Sequence, residues 1–512
     1  MWRLVPVVLL AESLCARPAP EARQAIDRAL PLLERSASTF VAKRGCVSCH
    51  HNILPILMLH LARGRGVAVD SAVLDAVEEK TFRDLRKPEA LDEAIQASTL
   101  NDPTPNDSFL LMAAQAAGIE QGQITAVYAR RLLGWQRDGH WVTSDFRPPH
   151  SSSVFTATAT AVRAIGSYLP EELRAEGEVA IQSARKWLIA TRPVSTEDAA
   201  FRLLGLVWSK AAPREIETAR RDLLNFQKSG GWPELPAYAS DAYSTGEALF
   251  ALHEAGTPTT DPAWRKGLEF LVSTQAADGS WRVRTRLLSP AQVSPAYFST
   301  GFPYQKDEYL SYAGSCWAVM ALLTALPEDS HVPEPPPISR TDAVPWARSA
   351  LFGTVQQLAA QLDRGLDPNR KTEGGTTLLM MAAPDLPKVR LLLARGADAK
   401  TRAPSGSDAL TVAAAYRGTT ESLRLLLDAG AEVQPPQGIR ARQSPLLLAS
   451  MAGDLENVKL LLAHGADPNK APNPQANTPL AAAVTFGYAD VSETLITAGA
   501  KATLKEATGI NL

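Results

Sequence analysis

Gly45-Cys46-Val47-Ser48-Cys49-His50 holds the side chains best suited to chemistry in this 512-residue chain. Two thiols separated by two residues, with an imidazole directly after, are the arrangement in which both sulfurs add to haem vinyl groups and the histidine binds iron. The same residues can instead form a dithiol redox pair or half of a zinc site. A zinc site needs a second pair, and only Cys15 and Cys316 remain. A thioredoxin-like pair needs a strand-helix-strand setting, and the pattern around this segment is helical. Haem c is therefore the expected cofactor, attached at Cys46 and Cys49 with His50 as the proximal iron ligand.

In this stretch the chain resembles the cytochrome c family, with only the attachment motif in common. The distal iron position is open to several residues. His51, Met58 and His60 share a helix with His50, and a rigid helix cannot wrap to the opposite haem face. Met112, His140 and His150 are the candidates from other hairpins, each also readable as a packing methionine or a loop histidine. An open position is the remaining alternative.

Covalent haem attachment takes place outside the cytoplasm, and the N-terminus carries an independent sign of export. Trp2-Arg3, the apolar run from Leu4 to Ala11 and Ser13-Leu14-Cys15-Ala16 read as a signal peptide over residues 1–16. The run contains Pro6 and is followed by Glu12, so an ordinary N-terminal helix is the competing reading. No later run approaches the ~18 apolar residues of a membrane span. The expected location is exported, periplasmic or extracellular. Lys and Arg number 52 against 54 Asp and Glu, which gives no global field to recruit nucleic acid.

The elements that must position the motif show themselves as two repeat systems. Residues 327–343 contain Pro327, Pro333, Pro335, Pro336 and Pro337, an extended spacer that breaks any helix. Beyond it, Gly396-Ala397, Gly430-Ala431, Gly465-Ala466 and Gly499-Ala500 recur at 34, 35 and 34 positions, each after an apolar helical stretch. Thr377, Asp408, Ser444 and Thr478 precede those stretches as helix N-caps. Residues 344–505 resemble the ankyrin repeat family, with a degenerate first unit near Ala350 and without the family's usual histidine at the helix start. The resemblance implies a protein partner bound on the concave face; a stack that only extends or caps the first domain is the alternative.

Before the spacer, Gln136 to Trp141, Gln227 to Trp232 and Gln275 to Trp281 repeat one Gln-to-Trp pattern with an internal glycine. Each reads as a helix C-terminal cap on which the tryptophan packs back. These segments resemble the glutamine-tryptophan motifs of the squalene-hopene cyclase and prenyltransferase superfamily. Six small-residue helices alternate with more amphipathic ones, which predicts six α-hairpins over residues 21–326. The expected architecture is all-α: an (α/α)6 toroid, or an open superhelix, followed by an ankyrin solenoid.

Cyclase chemistry itself has no visible starting point. The Asp-x-Asp-Asp acid of squalene-hopene cyclases and the Asp-Asp-x-x-Asp diphosphate clamp of ionising terpene synthases are both absent, so no enzymatic activity is assigned. Acidic residues do stand where inner helices begin, among them Asp107, Asp198 and Asp241. N-capping explains them; alternatively, with Tyr312, they form a polar rim around a haem seated at the mouth of the toroid. The expected function is electron transfer or redox sensing in an assembly, with the ankyrin stack as docking surface. The rivals are a degenerate cyclase or binder of an isoprenoid or other apolar ligand, and a non-catalytic interaction scaffold.

Overall fold

The computed structural model describes residues 19–45, 47–86, 89–96, 102–144, 152–285, 298–328, 344–434, 443–471 and 478–501. Residues 1–18, on which the signal-peptide reading falls, Cys46, His150 and most of the proline-rich spacer lie outside the described residues. Within them the chain is all-α, with isolated β-bridges in place of sheets.

Among the described residues fourteen α-helices come first: α1 (Ala19–Lys43), α2 (Leu54–Gly64), α3 (Ser71–Thr81), α4 (Arg83–Arg86), α5 (Glu89–Gln96), α6 (Pro103–Ala116) and α7 (Gln123–Leu133). They continue with α8 (Val154–Tyr168), α9 (Arg174–Ala190), α10 (Thr196–Trp208), α11 (Pro213–Leu224), α12 (Ala242–Glu254), α13 (Pro262–Thr274) and α14 (Glu308–Leu323). Helices α2, α6, α8, α10, α12 and α14 each pack on the next, and α14 returns to α2. The inner helices thus form a closed ring, not an open superhelix. Composition follows position: α10 buries eleven of its thirteen residues, whereas outer α11 buries two of twelve. Small residues permit the close inner contacts, because a Cβ at Gly246 of α12 would collide with the Trp317 backbone of α14.

The three Gln-to-Trp segments act as identical staples. Trp141, Trp232 and Trp281 are fully buried, and their indole N–H groups donate to the carbonyls of Leu132, Leu223 and Leu271 at 2.6, 2.9 and 2.8 Å. Each tryptophan backbone N–H also donates to a hydroxyl of the following inner helix, Thr158, Thr245 or Ser315. The glutamine amides donate to carbonyls of the next outer helix: Gln136 to Ala180, Gln227 to Ala263 and Gln275 to Ala25, each at 2.8 Å. The third of these links the last hairpin to α1 and so closes the outer layer.

The second part comprises α15 (Arg348–Leu351), α16 (Val355–Asp363), α17 (Leu378–Ala382), α18 (Leu386–Ala394) and α19 (Ala409–Ala414). It continues through α20 (Thr420–Asp428), α21 (Pro445–Ala452), α22 (Leu455–Ala463), α23 (Pro479–Thr485) and α24 (Ala489–Thr497). The five hairpins stack, first helix on first helix and second on second. Thr377, Asp408, Ser444 and Thr478 cap the first helices by accepting backbone N–H groups three residues on. The recurring glycines end the second helices in the left-handed region, with φ of 84° at Gly396 and 92° at Gly430.

The first-helix face of this stack is packed against the ring. Helix α5 touches α17 and α19. Trp135 Nε1 donates to Ala415 O at 2.7 Å, Arg130 to Met381 O at 3.1 Å, and the Arg417 backbone N–H to Gly134 O at 3.1 Å. Arg137 pairs with Asp490 at 2.9 Å, and the rings of Trp135 and Phe486 meet edge to face. Gln96 reaches both Thr376 and Ser405. These contacts put the chain's own ring on the face that the ankyrin resemblance assigns to a partner.

Candidate functional site

The motif lies where α1 hands over to α2. Residues Cys49–Ile53 form a single π-helical turn, a geometry that carries one extra residue per turn and recurs at functional sites. Ser48 caps it, its hydroxyl accepting from His51 N at 3.1 Å, while Asn52 Oδ1 accepts from Ser48 N at 2.9 Å. Asn52 in turn donates to Thr81 of α3 at 3.2 Å. Pro55 then starts α2, where a missing N–H costs nothing. Cys49 is half-buried and Cys46 lies outside the described residues.

The two adjacent histidines have different surroundings. His51 has no exposed surface and is clamped between Phe40 and Tyr312, with ring centroids at 4.7 and 3.8 Å and planes within 11° of parallel. Burial first, and the neighbouring His50 second, hold its pKa well below the ordinary imidazole range. His50 is half-buried and stacks on Tyr309 at 4.9 Å. The Nδ1 atoms of the two rings are 2.5 Å apart, a hydrogen-bond contact. His51 Nε2 meets Ser36 Oγ of α1 at 3.2 Å. Beyond Ser36 lie Thr300 and then Glu308, the first residue of α14.

A haem-ligating histidine ordinarily has its other ring nitrogen held by a hydrogen bond, which fixes the ring's orientation. His50 Nδ1 is held in this way, which fits His50 to a ligating role.

Of the other residues singled out from sequence, Tyr312 joins this cluster, Asp107, Asp198 and Asp241 are engaged elsewhere, and His150 lies outside the described residues. Asp107 forms a bidentate ion pair with Arg131, both bonds at 2.7 Å. Asp198 accepts from Ser153 at 2.6 Å and from Val194 N at 3.1 Å. Asp241 caps α12 by accepting from Ser244 N at 2.9 Å. These are capping and pairing roles. Met112 is buried in α6, a helix that packs on the π-turn. His140 stacks on Trp187, and His60 pairs with Glu78 at 2.6 Å. Buried Cys316 has its thiol pKa pushed up by burial. Among the described residues no group of three or more His, Cys, Asp and Glu side chains is arranged to hold a metal ion. No described helix is long and apolar enough to cross a membrane.

Sequence reasoning missed a second polar cluster inside the ring. Glu197 of α10, Glu234 in the loop before α12 and Glu247 of α12 are all buried and share the neighbourhood of Tyr243. Burial, then mutual repulsion, raises the carboxyl pKa of both Glu197 and Glu247 above the ordinary 4.5. A carboxyl raised in the fold releases its proton first in the unfolded chain, so stability declines as pH climbs from about 4.5 towards the folded values. Glu247→Gln should flatten that decline and raise the unfolding free energy at pH 8 more than at pH 5. Urea unfolding at pH 5 and pH 8 reads this directly, and an unchanged pH slope in the variant would refute it. An isolated acidic residue at a helix start gives no sign of which other carboxylates the tertiary fold brings beside it.

A closed ring of six hairpins joined to a five-hairpin solenoid defines a two-part helical-repeat protein whose second part is of the kind used for protein recognition. The family model for ankyrin repeats (3 copies) matches residues 435–506. Human cyclin-dependent kinase 4 inhibitor B is 36% identical over 104 residues, which is 20% of this chain and 73% of that protein. The Rattus norvegicus form is 36% identical over 104 residues and covered to 78%, and human cyclin-dependent kinase inhibitor 2A 36% over 96 residues and covered to 60%. Through this C-terminal part the chain belongs to the ankyrin repeat family.

Proposed function

We propose that the ring carries a covalently attached haem c at Cys46 and Cys49, with His50 on the iron, and serves electron transfer or redox sensing outside the cytoplasm. The haem would supply one-electron chemistry, while the protein's own residues position it. The observation that supports this reading is the immobilised His50–His51 pair: one imidazole is sealed between two aromatic rings and holds the Nδ1 of the other. The spacing of the thiols and the N-terminal leader pattern point the same way. The ankyrin stack serves as the docking surface for a partner protein. Since its first-helix face is packed on the ring, the partner would meet the outer helices α16, α18, α20, α22 and α24.

The test is expression with the leader in a bacterial host that matures c-type cytochromes. The expected result is a Soret band that survives acid-acetone extraction and a mass increase of one haem, both lost in the Cys46→Ser/Cys49→Ser double variant. Haem-free protein with both thiols titratable, from a host that loads a control cytochrome, would falsify the proposal.

A further inference from the structure

We infer that a one-way hydrogen-bond chain starting at the Glu308 carboxylate fixes the tautomers of both histidines and leaves the lone pair of His50 on Nε2, which makes Glu308, Thr300, Ser36 and His51 positioning residues for the ligand His50. The iron as the group bound there rests on the preceding reading; the tautomers do not.

The chain's direction follows from proton counting. Glu308 is fully buried, and its Oε1 accepts from both the backbone N–H and the hydroxyl of Thr300, each at 2.5 Å. A hydroxyl has one proton, so Thr300 Oγ1 has only lone pairs left for its other neighbours. It accepts from Phe302 N at 3.4 Å, and towards Ser36 Oγ, 2.5 Å away, it must accept as well. The single proton of Ser36 is thereby committed to Thr300. Ser36 Oγ therefore receives its bond from His51 Nε2 at 3.2 Å, which places the His51 proton on Nε2.

His51 sits between Phe40 and Tyr312 with no exposed surface, an environment that disfavours the charged imidazolium. With its one proton on Nε2, the neutral ring presents a bare lone pair at Nδ1. The facing His50 Nδ1 must then be the donor. A neutral His50 protonated on Nδ1 carries its lone pair on Nε2, the atom a metal or other Lewis acid would take.

The chain of contacts thus runs from Glu308 Oε1 through Thr300 Oγ1, Ser36 Oγ and the two nitrogens of His51 to His50 Nδ1. The Tyr312 hydroxyl donates to Leu33 O at 3.3 Å and stays outside the chain, so its contribution is to stack. The Tyr309 hydroxyl likewise donates to Phe298 O at 3.0 Å and shields the other ring.

The experiment uses the full chain produced without haem maturation and labelled with 15N-histidine, observed by long-range 1H–15N correlation. The expected pattern is an unprotonated Nε2 and protonated Nδ1 for His50 and the reverse for His51, with resonances assigned from His50→Gln and His51→Gln. Thr300→Val removes the hydroxyl at nearly constant shape and should convert both single-tautomer patterns into mixtures, while Thr300→Ser should restore them. Wild-type His50 protonated at Nε2 would overturn the inference without any variant. So would a Thr300→Val protein of unchanged circular dichroism in which both patterns persist. Because the sample is haem-free, failure here is separate from failure of haem attachment, which is read by extraction and mass.

Discussion

Trp281→Ala should lower the unfolding free energy of the ring by about 3–5 kcal/mol, the range for truncating a fully buried large aromatic. The side chain is 1% exposed and its indole N–H is committed to Leu271 O, so truncation removes a packed ring and leaves a carbonyl at the end of α13 without its donor. The same cost is expected at Trp141 or Trp232, which make equivalent bonds. What distinguishes Trp281 is its place in the staple that joins the last hairpin to the first helix. Gln275 in that staple bonds Ala25 O, receives the Arg28 guanidinium at 3.0 Å, and sits four residues before Gly279. Gly279 holds φ at +88°, and a Cβ there would run into the Arg28 carbonyl. Trp281→Ala should therefore loosen α1 more than α8. Hydrogen exchange of the backbone amides, read together with the urea midpoint, checks both parts. A midpoint within error of wild type, or equal loss of protection in α1 and α8, would contradict the closing role.

Removing one partner of the Asp107–Arg131 pair should cost a similar amount, about 3–5 kcal/mol for Asp107→Ala, because a guanidinium is then left buried without its counter-charge. The two members are shifted in ways that disagree about the strength of the pair. Burial raises the Asp107 carboxyl pKa against the pull of Arg131, whereas burial works against protonation of the Arg131 guanidinium and is outweighed by Asp107, which holds it more firmly protonated. The bidentate 2.7 Å geometry decides for an ionised pair, and the upward Asp107 shift says that much of its Coulombic gain is offset by desolvation. It follows that Asp107→Ala/Arg131→Met should recover most of the loss. Arg131 also donates to Ala94 O at 3.0 Å, which sets a limit to that recovery. The double-mutant cycle in urea measures it, and additive losses in the double variant would show that the pair is not coupled.

Legibility from sequence followed the range of the interactions concerned. The ankyrin hairpins were readable because each is set by neighbours within a few residues: an N-cap at Thr377 or Ser444, a glycine three or four residues beyond the leucines, and a period of 34 or 35. The Gln-to-Trp staples announced themselves for the same reason, and the inner helices lay close to the small-residue runs. The Cys-x-x-Cys-His segment was visible as five consecutive residues. The protein-recognition surface was less legible, since the contact between Trp135 and Ala415 spans 280 positions and no period in the sequence records it.

By itself, then, the sequence determined that this is an all-helical protein of two repeat systems, with one segment whose thiols and imidazole suit a covalent cofactor. Tertiary structure alone decided that the inner helices close on themselves and that the ring covers the first-helix face of the ankyrin stack. It also decided that Asp107, Asp198 and Asp241 are taken by local partners, and that Glu197, Glu234 and Glu247 meet in one buried place. The physical reason is the distance over which each is encoded. Helices, caps and turns are chosen by residues three or four positions apart. Closure, docking and the chain from Glu308 through Thr300 and Ser36 to His51 depend on side chains that become neighbours only after the ring has formed, 264 positions apart in the case of Ser36 and Thr300.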